Sequence, residues 1–314
     1  MKLYGRFAIK LYCTRLVVNK PELLEGNGPV LFAANHPNSF LDGVILTTIH
    51  KHAVYSLARG DVFKNGNANK FLRYMKLLPV YRTSEGVENL EHNYTTFASC
   101  LQAFEEGHTV LIFSEGRCEN EWHLRPLKKG TARLAHAAWQ KGIPLKVIPL
   151  GINYSAFYSF GKEVHLLFGT PITRETIIEE NSEGKKHLDF NEQLNAQLKN
   201  LVYEIDEKDD VKRKRIFSIR IKPSFYFLAL PALAGFILHA PFYFLMKMIT
   251  LAKFNNSGHY DSVLVSLVFF GYPIYVLFLT ILLVIFFGSP GILAFILLPL
   301  LAWCTIQVKY QLDF

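Results

Sequence analysis

Three apolar runs near the C-terminus constrain most strongly what this 314-residue chain can fold into. They cover about 224–246, 262–287 and 290–308. At about 1.5 Å per residue, a helix of about 20 residues crosses a hydrocarbon core about 30 Å thick, so each run is long enough to span a membrane. The first run contains Pro231 and Pro241 and fits either a kinked span or a re-entrant segment. The sequence therefore predicts two or three transmembrane helices and leaves the number open.

A basic cluster precedes the first apolar run. Its members are Lys212, Arg213, Lys214, Arg215, Arg220 and Lys222. Each basic residue near an anionic lipid surface contributes about 1 kcal/mol, and positive charge beside a span marks the cytoplasmic side. The sequence has no nucleic-acid-binding module, so the net charge of +8 indicates attraction to the bilayer rather than to nucleic acid. We expect an integral membrane protein whose folded domain faces the cytoplasm.

The N-terminal residues form a basic amphipathic pattern. Lys2, Arg6 and Lys10 recur every four residues beside an apolar row. This is typical of a helix in the membrane interface, although a helix packed on a domain would look the same. The predicted organisation is an interfacial segment, a folded domain and a membrane domain, at 1–20, 21–210 and 211–314.

Between residues 20 and 175, short apolar stretches alternate with amphipathic ones. The apolar stretches predict strands at Val30–Ala34, Val54–Leu57, Leu77–Tyr81, Thr109–Phe113, Lys146–Ile152 and Val164–Phe168. The amphipathic stretches predict helices at about 87–106 and 131–141, and a further helix is expected at about 39–50. This alternation indicates the α/β class, with a mixed sheet and flanking helices. Residues 174–208 predict a polar helical segment without a site of its own.

A histidine and a carboxylate follow the first predicted strand. His36 and Asp42 lie in the run Asn-His-Pro-Asn-Ser-Phe-Leu-Asp at 35–42. Open α/β sheets place their chemistry at the carboxyl ends of strands, and a histidine oriented by a carboxylate can take a proton from a hydroxyl. The spacing corresponds to about 500° of helix, so the two cannot share one face of a regular helix. We predict that His36 lies on a loop and that Asp42 reaches back from the helix that follows.

Further blocks carry candidate phosphate and oxyanion contacts. Arg82 ends a predicted strand, which suits bidentate phosphate recognition, although strand-end arginines are often merely solvated. In the run Phe-Ser-Glu-Gly-Arg, Gly116 would let backbone amides approach an anion. Lys128 and Lys129 precede a predicted helix and add either phosphate contacts or a solvated charge pair.

Four blocks in this order resemble the glycerolipid acyltransferases, which esterify glycerol 3-phosphate and lysophosphatidic acid. The blocks are 35–42, 77–82, 112–117 continued by 126–132, and 143–150 with 168–172 behind it. The resemblance implies that His36 is the catalytic base and that Asp42 holds its imidazole in the productive tautomer. It further implies acceptor-binding roles for Asn35, Arg82, Glu115, Gly116, Arg117, Lys128 and Lys129.

The chain departs from the usual family pattern at two places. Five residues, not four, separate His36 from Asp42, which resembles the fungal-type glycerol-3-phosphate and dihydroxyacetone-phosphate acyltransferases. In the third block, Ser114 replaces a proline and Arg117 directly follows the glycine.

The resemblance implies transfer of an acyl group from a coenzyme A or acyl carrier protein thioester, which is a co-substrate. The expected acceptor is glycerol 3-phosphate, alone or with dihydroxyacetone phosphate, ahead of lysophosphatidic acid or another lyso-lipid. A thioester hydrolase and a non-enzymatic membrane scaffold are the alternatives from other classes. The histidines and the four cysteines lack metal-ligand spacing, so we expect no metal and no bound cofactor. Residues 216–314 are expected to anchor the protein without contributing a catalytic group, and no oligomeric state is indicated.

Overall fold

The computed structural model describes residues 2–26, 28–64, 66–81, 92–177, 182–255 and 258–312. Within these ranges, one mixed sheet has seven strands. They are β1 (Cys13–Val18), β2 (Val30–Ala34), β3 (Val54–Arg59), β4 (Leu77–Val80), β5 (Thr109–Phe113), β6 (Lys146–Tyr154) and β7 (Lys162–Phe168). Their order across the sheet is β1-β7-β6-β2-β5-β3-β4.

The central strand β2 lies between β5 and β6 and pairs with both in parallel. Ala34 at its end is opposite Phe113 of β5 and Leu150 of β6. The loops that follow β2 and β5 therefore leave the sheet side by side. Strand β6 continues for four residues beyond Leu150 and pairs there with antiparallel β7.

Helices cover both faces of the sheet. They are α1 (Lys2–Tyr12), α2 (Phe40–Ile49), α3 (Gly66–Tyr74), α4 (His92–Glu105), α5 (Gly130–Gln140), α6 (Glu183–Leu201) and α7 (Asp210–Ile216). Alternate residues of β2 enter different cores: Leu31 packs with residues of α4, α5 and α6, and Phe32 packs with residues of α1 and α2. Burial on both faces explains why β2 is continuously apolar.

The predicted α/β class with a mixed sheet and flanking helices is confirmed. Strands β2 and β5 have the predicted bounds. Strand β1 was not predicted, because its residues fell inside the segment 1–20 that was interpreted as amphipathic. It pairs in parallel with β7 at the edge of the sheet, and its mixed burial hides it in the sequence. The predicted helix at 87–106 begins at His92 in the described part of the chain.

The apolar C-terminal part forms α8 (Ser224–Phe254), α9 (Tyr260–Phe287) and α10 (Ala294–Leu312), the last preceded by a 3-10 turn at Ser289–Leu293. By length and composition, three helices in the described residues could cross a membrane. The first apolar run, left open above, is one continuous helix through both of its prolines. At Gly235 of α8 an added Cβ would overlap the Leu301 carbonyl oxygen of α10, so these two helices pack closely there.

Candidate active site

The loop after β2 is fixed to the neighbouring strand by Asn35. Its side-chain amide accepts a hydrogen bond from Ile152 N (2.7 Å) and donates one to Ile152 O (3.1 Å), and the residue is buried. Both polar atoms are therefore occupied by the backbone of β6. The predicted contact of Asn35 with the acceptor stays a prediction, since these two hydrogen bonds already engage both polar atoms of its side chain. Asn35 is placed to hold the loop.

His36 and Asp42 form a hydrogen-bonded pair. His36 lies on the loop and Asp42 lies in the first turn of α2, as their spacing predicts. His36 Nδ1 is 2.8 Å from Asp42 Oδ2. The imidazole stacks on Phe113 at the end of β5, with the ring centroids 3.8 Å apart and the planes 11° from parallel. With Nδ1 bonded to the carboxylate, Nε2 is the ring nitrogen left for a substrate.

The Asp42 carboxylate is fully buried and receives two further hydrogen bonds. Tyr154 OH donates to Oδ1 (2.8 Å) and Asn38 N donates to Oδ2 (2.9 Å). Burial, followed by the nearby Asp42 charge, raises the pKa of Tyr154 well above its usual value, so the phenol remains a donor. Tyr154 was not among the predicted site residues, because the predicted strand ended at Ile152. Extending the predicted strand by two residues would have placed Tyr154 at its end, beside the loop that carries His36.

Glu115, in the turn after β5, joins two loops. Oε2 accepts from His36 N (2.8 Å) and Oε1 accepts from Arg125 N (2.9 Å). Burial raises the pKa of the carboxyl from 4.5 to about 7, although both backbone donors oppose this. The resemblance implied an acceptor contact for Glu115. The structure instead places both oxygens on backbone N–H groups, where they orient the segment that carries the base.

The predicted cationic residues lie at the surface around this turn. Gly116 has a φ of +67°, and the stem of the exposed Lys128 side chain lies against it. Arg117 is exposed and paired with Glu119, whose backbone N donates to His36 O (3.2 Å). Lys129 is exposed at the start of α5. These cations therefore lie on segments bonded to the site.

One predicted phosphate ligand is not placed. Arg82 lies outside the described residues. Its proposed contact with an acceptor phosphate therefore remains a prediction.

The loops after β2 and β5 also contact each other through residues that the sequence analysis did not select for the site. Ser39 N donates to Cys118 Sγ (2.9 Å), and Asn120 Nδ2 donates to Pro37 O (2.7 Å). Burial raises the pKa of the Cys118 thiol well above its usual range. Cys118 is thus a hydrogen-bonding thiol at neutral pH rather than a thiolate nucleophile.

The amino end of α9 reaches the same loop. His259 Nδ1 is 2.6 Å from Ser39 Oγ, and Ser262 Oγ donates to Asn38 O (3.2 Å). The expectation that residues 216–314 anchor the protein without contributing a catalytic group stays a prediction, but the contact of this part of the chain with the loop beside the base was not predicted. A visible signal was Asp261, the single acidic residue in 224–308.

The described side chains suit proton transfer near a surface cationic group. In the described ranges, no three His, Cys, Asp or Glu side chains are grouped as metal ligands. A neutral imidazole with its Nδ1 held by a buried carboxylate can accept a proton at Nε2 and then be stabilised as imidazolium.

One family model matches the part of the chain that holds the site. Residues 15–153 match the family model described as Acyltransferase, a segment that includes both loops of the site. Among solved structures, the chain is similar to the 1-acyl-sn-glycerophosphate (LPA) acyltransferase PlsC from Thermotoga maritima. The two are 16% identical with a TM-score of 0.42, and the match covers 66% of this chain and 80% of that chain. Among curated proteins there is no significant match. The family match supports an acyltransferase.

Proposed function

We propose that this protein is a membrane-bound O-acyltransferase that moves a fatty acyl group from a thioester to a hydroxyl of glycerol 3-phosphate. The observation that carries the proposal is the pair formed by His36 and the buried Asp42, joined over 2.8 Å and supported by Tyr154 and Asn38. Such a pair activates a hydroxyl. The family match over residues 15–153 supports acyl transfer as the reaction.

The proposed reaction has two proton transfers at one atom. His36 Nε2 takes the proton of the acceptor hydroxyl as that oxygen attacks the thioester carbonyl, and Asp42 stabilises the imidazolium. When the tetrahedral intermediate collapses, the carbon–sulfur bond breaks and the imidazolium returns the proton to the departing thiolate. The products are one ester and one thiol. A positioned base of this kind contributes roughly 10²–10⁴ in rate.

The exposed cations supply the reason to propose a phosphorylated acceptor. The loop at residues 35–39, here called the base loop, is hydrogen-bonded to the segment that follows β5. Arg117, Lys128 and Lys129 are exposed on that segment, where they can attract a phosphate. Arg82 would add a bidentate contact. Glycerol 3-phosphate and lysophosphatidic acid carry the same phosphate, so these residues support both acceptors comparably. The preference for glycerol 3-phosphate, with dihydroxyacetone phosphate beside it, rests on the spacing between His36 and Asp42.

The membrane placement is supported by composition. The three apolar helices α8, α9 and α10 are proposed to span the bilayer. Helix α7 carries Arg213, Lys214 and Arg215 in its last turn, shortly before α8 begins. Positive charge at that position supports our proposal that the α/β domain faces the cytoplasm. The acyl donor, a coenzyme A or acyl carrier protein thioester, would be met there.

A thioester hydrolase is the second enzymatic candidate, because the same base could activate water. A hydrolase would not need the exposed cations Arg117, Lys128 and Lys129, because water carries no phosphate. A non-enzymatic scaffold would not need a buried carboxylate that holds a histidine ring.

An acceptor panel tests the proposal. The full-length protein in lipid vesicles would receive acyl-CoA or acyl carrier protein thioester with glycerol 3-phosphate, dihydroxyacetone phosphate, lysophosphatidic acid or unphosphorylated glycerol. Mass spectrometry of the products should show lysophosphatidic acid formed from glycerol 3-phosphate. Phosphatidic acid alone, made only from supplied lysophosphatidic acid, would move the assignment to the alternative acceptor.

A further inference from the structure

A buried ion pair lies at the amino end of α9. Asp261 Oδ2 is 2.6 Å from Lys162 Nζ, and the two side chains are 1% and 0% exposed. Asp261 occupies the first turn of α9, where the helix dipole favours an anion, and Lys162 is the first residue of β7. The pair thus joins the sheet to an apolar helix.

The same carboxylate oxygen receives two more donors. Tyr12 OH, at the end of α1, is 2.5 Å away, and Asn38 Nδ2, on the base loop, is 2.7 Å away. Four separate parts of the chain therefore meet at Asp261 Oδ2. They are the end of α1, the base loop, the start of β7 and the start of α9.

Stability alone does not explain this cluster. Asp261 Oδ1 and Asn38 Oδ1 are buried without a hydrogen-bond partner among the residues that the structure describes. An unpaired buried polar atom destabilises the folded state, and buried ion pairs are often no more stabilising than apolar residues of similar size. What the cluster does provide is a fixed position for Asn38.

From Asn38 a continuous series of hydrogen bonds leads to the base. The backbone N of Asn38 donates to Asp42 Oδ2 (2.9 Å), the atom that lies 2.8 Å from His36 Nδ1. The adjacent Ser39 has a φ of +50°, which is strained for a residue other than glycine. It is held by His259 through the 2.6 Å contact of its hydroxyl.

We infer that Asp261 and Lys162 are positioning residues for the base, acting through Asn38, so that the amino end of α9 forms part of the active site. The inference rests on the proposed function. Neither side chain contacts the reacting atoms. Asn38 is one of the five residues between His36 and Asp42. The longer spacing of this chain therefore includes a residue whose side chain contacts α9.

The test uses the full-length protein in lipid nanodiscs with Asn38→Ala, Asp261→Asn and the double variant. Asn38→Ala removes the side-chain link but leaves the ion pair intact. Each single variant should lower kcat at least about 10-fold, the size expected for a hydrogen bond to a charged group, with KM for both substrates within about twofold. The double variant should lose no more than the worse single variant, because both act through one contact.

A matched control is Asn19→Ala. The Asn19 side-chain amide accepts a hydrogen bond from Phe168 N (2.8 Å) and donates one to Phe168 O (3.0 Å) at the end of β7. Its removal should leave kcat unchanged, which separates loss of any asparagine amide from loss of the link to Asp261.

A second readout does not require acyl transfer. The rate at which diethyl pyrocarbonate modifies His36, followed by mass spectrometry of its peptide, should rise several-fold in both single variants and remain at the wild-type rate in Asn19→Ala.

If the wild type shows no transferase activity, the proposed function fails, and the rate of His36 modification alone still decides the positioning role. Unchanged kcat and unchanged His36 modification in folded Asn38→Ala, or losses that multiply in the double variant, would overturn the inference. Should Asp261→Asn fail to fold, Asn38→Ala decides both readouts by itself.

Discussion

Two neighbouring parts of the candidate site differ in how the fold holds their polar groups. In the base cluster, which comprises His36, Asp42, Glu115 and Tyr154, each member is hydrogen-bonded and only His36 is not fully buried. In the cationic rim, which comprises Arg117, Lys128 and Lys129, the side chains are exposed. The fold thus sets the geometry of proton transfer before substrate arrives. It leaves the charges that would meet the phosphate on long, solvated side chains.

This difference predicts two scales of effect. Removing a buried partner leaves another buried polar group unsatisfied, at about 1–3 kcal/mol. Removing an exposed cation changes an interaction that water and salt already weaken. Substitutions in the base cluster should therefore change kcat, and substitutions in the cationic rim should change acceptor KM.

The largest effect is expected for His36→Ala. Loss of the base should lower kcat by roughly 10²–10⁴ while the protein stays folded and membrane-bound. The control is His108→Ala, a half-buried histidine directly before β5 and so at the opposite end of that strand from the site. Steady-state acyl transfer checks both. A His36→Ala protein with near-wild-type turnover would mean that the base cluster does not do the chemistry.

The next largest effect is expected for Asp42→Asn. The imidazole remains, but its charged partner is lost, and a hydrogen bond to a charged group contributes about 1.5–3 kcal/mol. The loss in kcat should therefore be roughly 10- to 10²-fold, smaller than for His36→Ala. Single-turnover measurements, which isolate the chemical step, should show the same loss. A change confined to acceptor KM would place Asp42 in binding instead.

Contacts in this site between residues that are close in the sequence could be predicted, and contacts between residues far apart in the sequence could not. The arrangement of His36 on a loop and Asp42 on a helix follows from six positions of local sequence, and strand β2 from five apolar residues. Tyr154 meets Asp42 across 112 positions, and Asp261 meets Asn38 across 223, so no local pattern records either contact. Glu115 was selected from its motif, but the inward direction of its carboxylate depends on where the backbone of two loops comes to lie.

A third prediction concerns pH and Glu115. Its pKa in the folded protein is about 7 against the usual 4.5, so between these values the folded state binds the proton more tightly than the unfolded state. The free energy of unfolding should therefore fall as pH rises through this window, by at most about 3 kcal/mol from this group. Glu115→Gln should lose that pH dependence.

Thermal midpoints at pH 5 and pH 8 check this prediction. The fall between the two should be smaller in Glu115→Gln than in the wild type. The control is Glu105→Gln, an exposed glutamate paired with Lys141, which should behave like the wild type. An equal fall in Glu115→Gln and in the wild type would show that Glu115 does not titrate in this window.

The smallest effect is expected in the cationic rim. Lys128→Ala should raise KM for glycerol 3-phosphate about two- to fivefold, with kcat nearly unchanged, because an exposed charge contributes less than about 1 kcal/mol. The effect should shrink as salt rises. Unphosphorylated glycerol should show no such change. The charge-matched control is Lys141→Ala, an exposed lysine that directly follows α5 at the end of the helix away from Lys129. A loss in kcat comparable to that of Asp42→Asn would erase the distinction between the two parts of the site.

The most direct test of acyl transfer at this site compares two rates in the same sample of full-length protein with acyl thioester and glycerol 3-phosphate. One is the release of thiol, and the other is the formation of glycerol ester. Transfer through the base cluster predicts equal rates, with one ester formed for each thiol released and almost no thiol released when acceptor is omitted. Release of thiol at the same rate with and without acceptor, with no ester formed, would show a hydrolase and contradict the account.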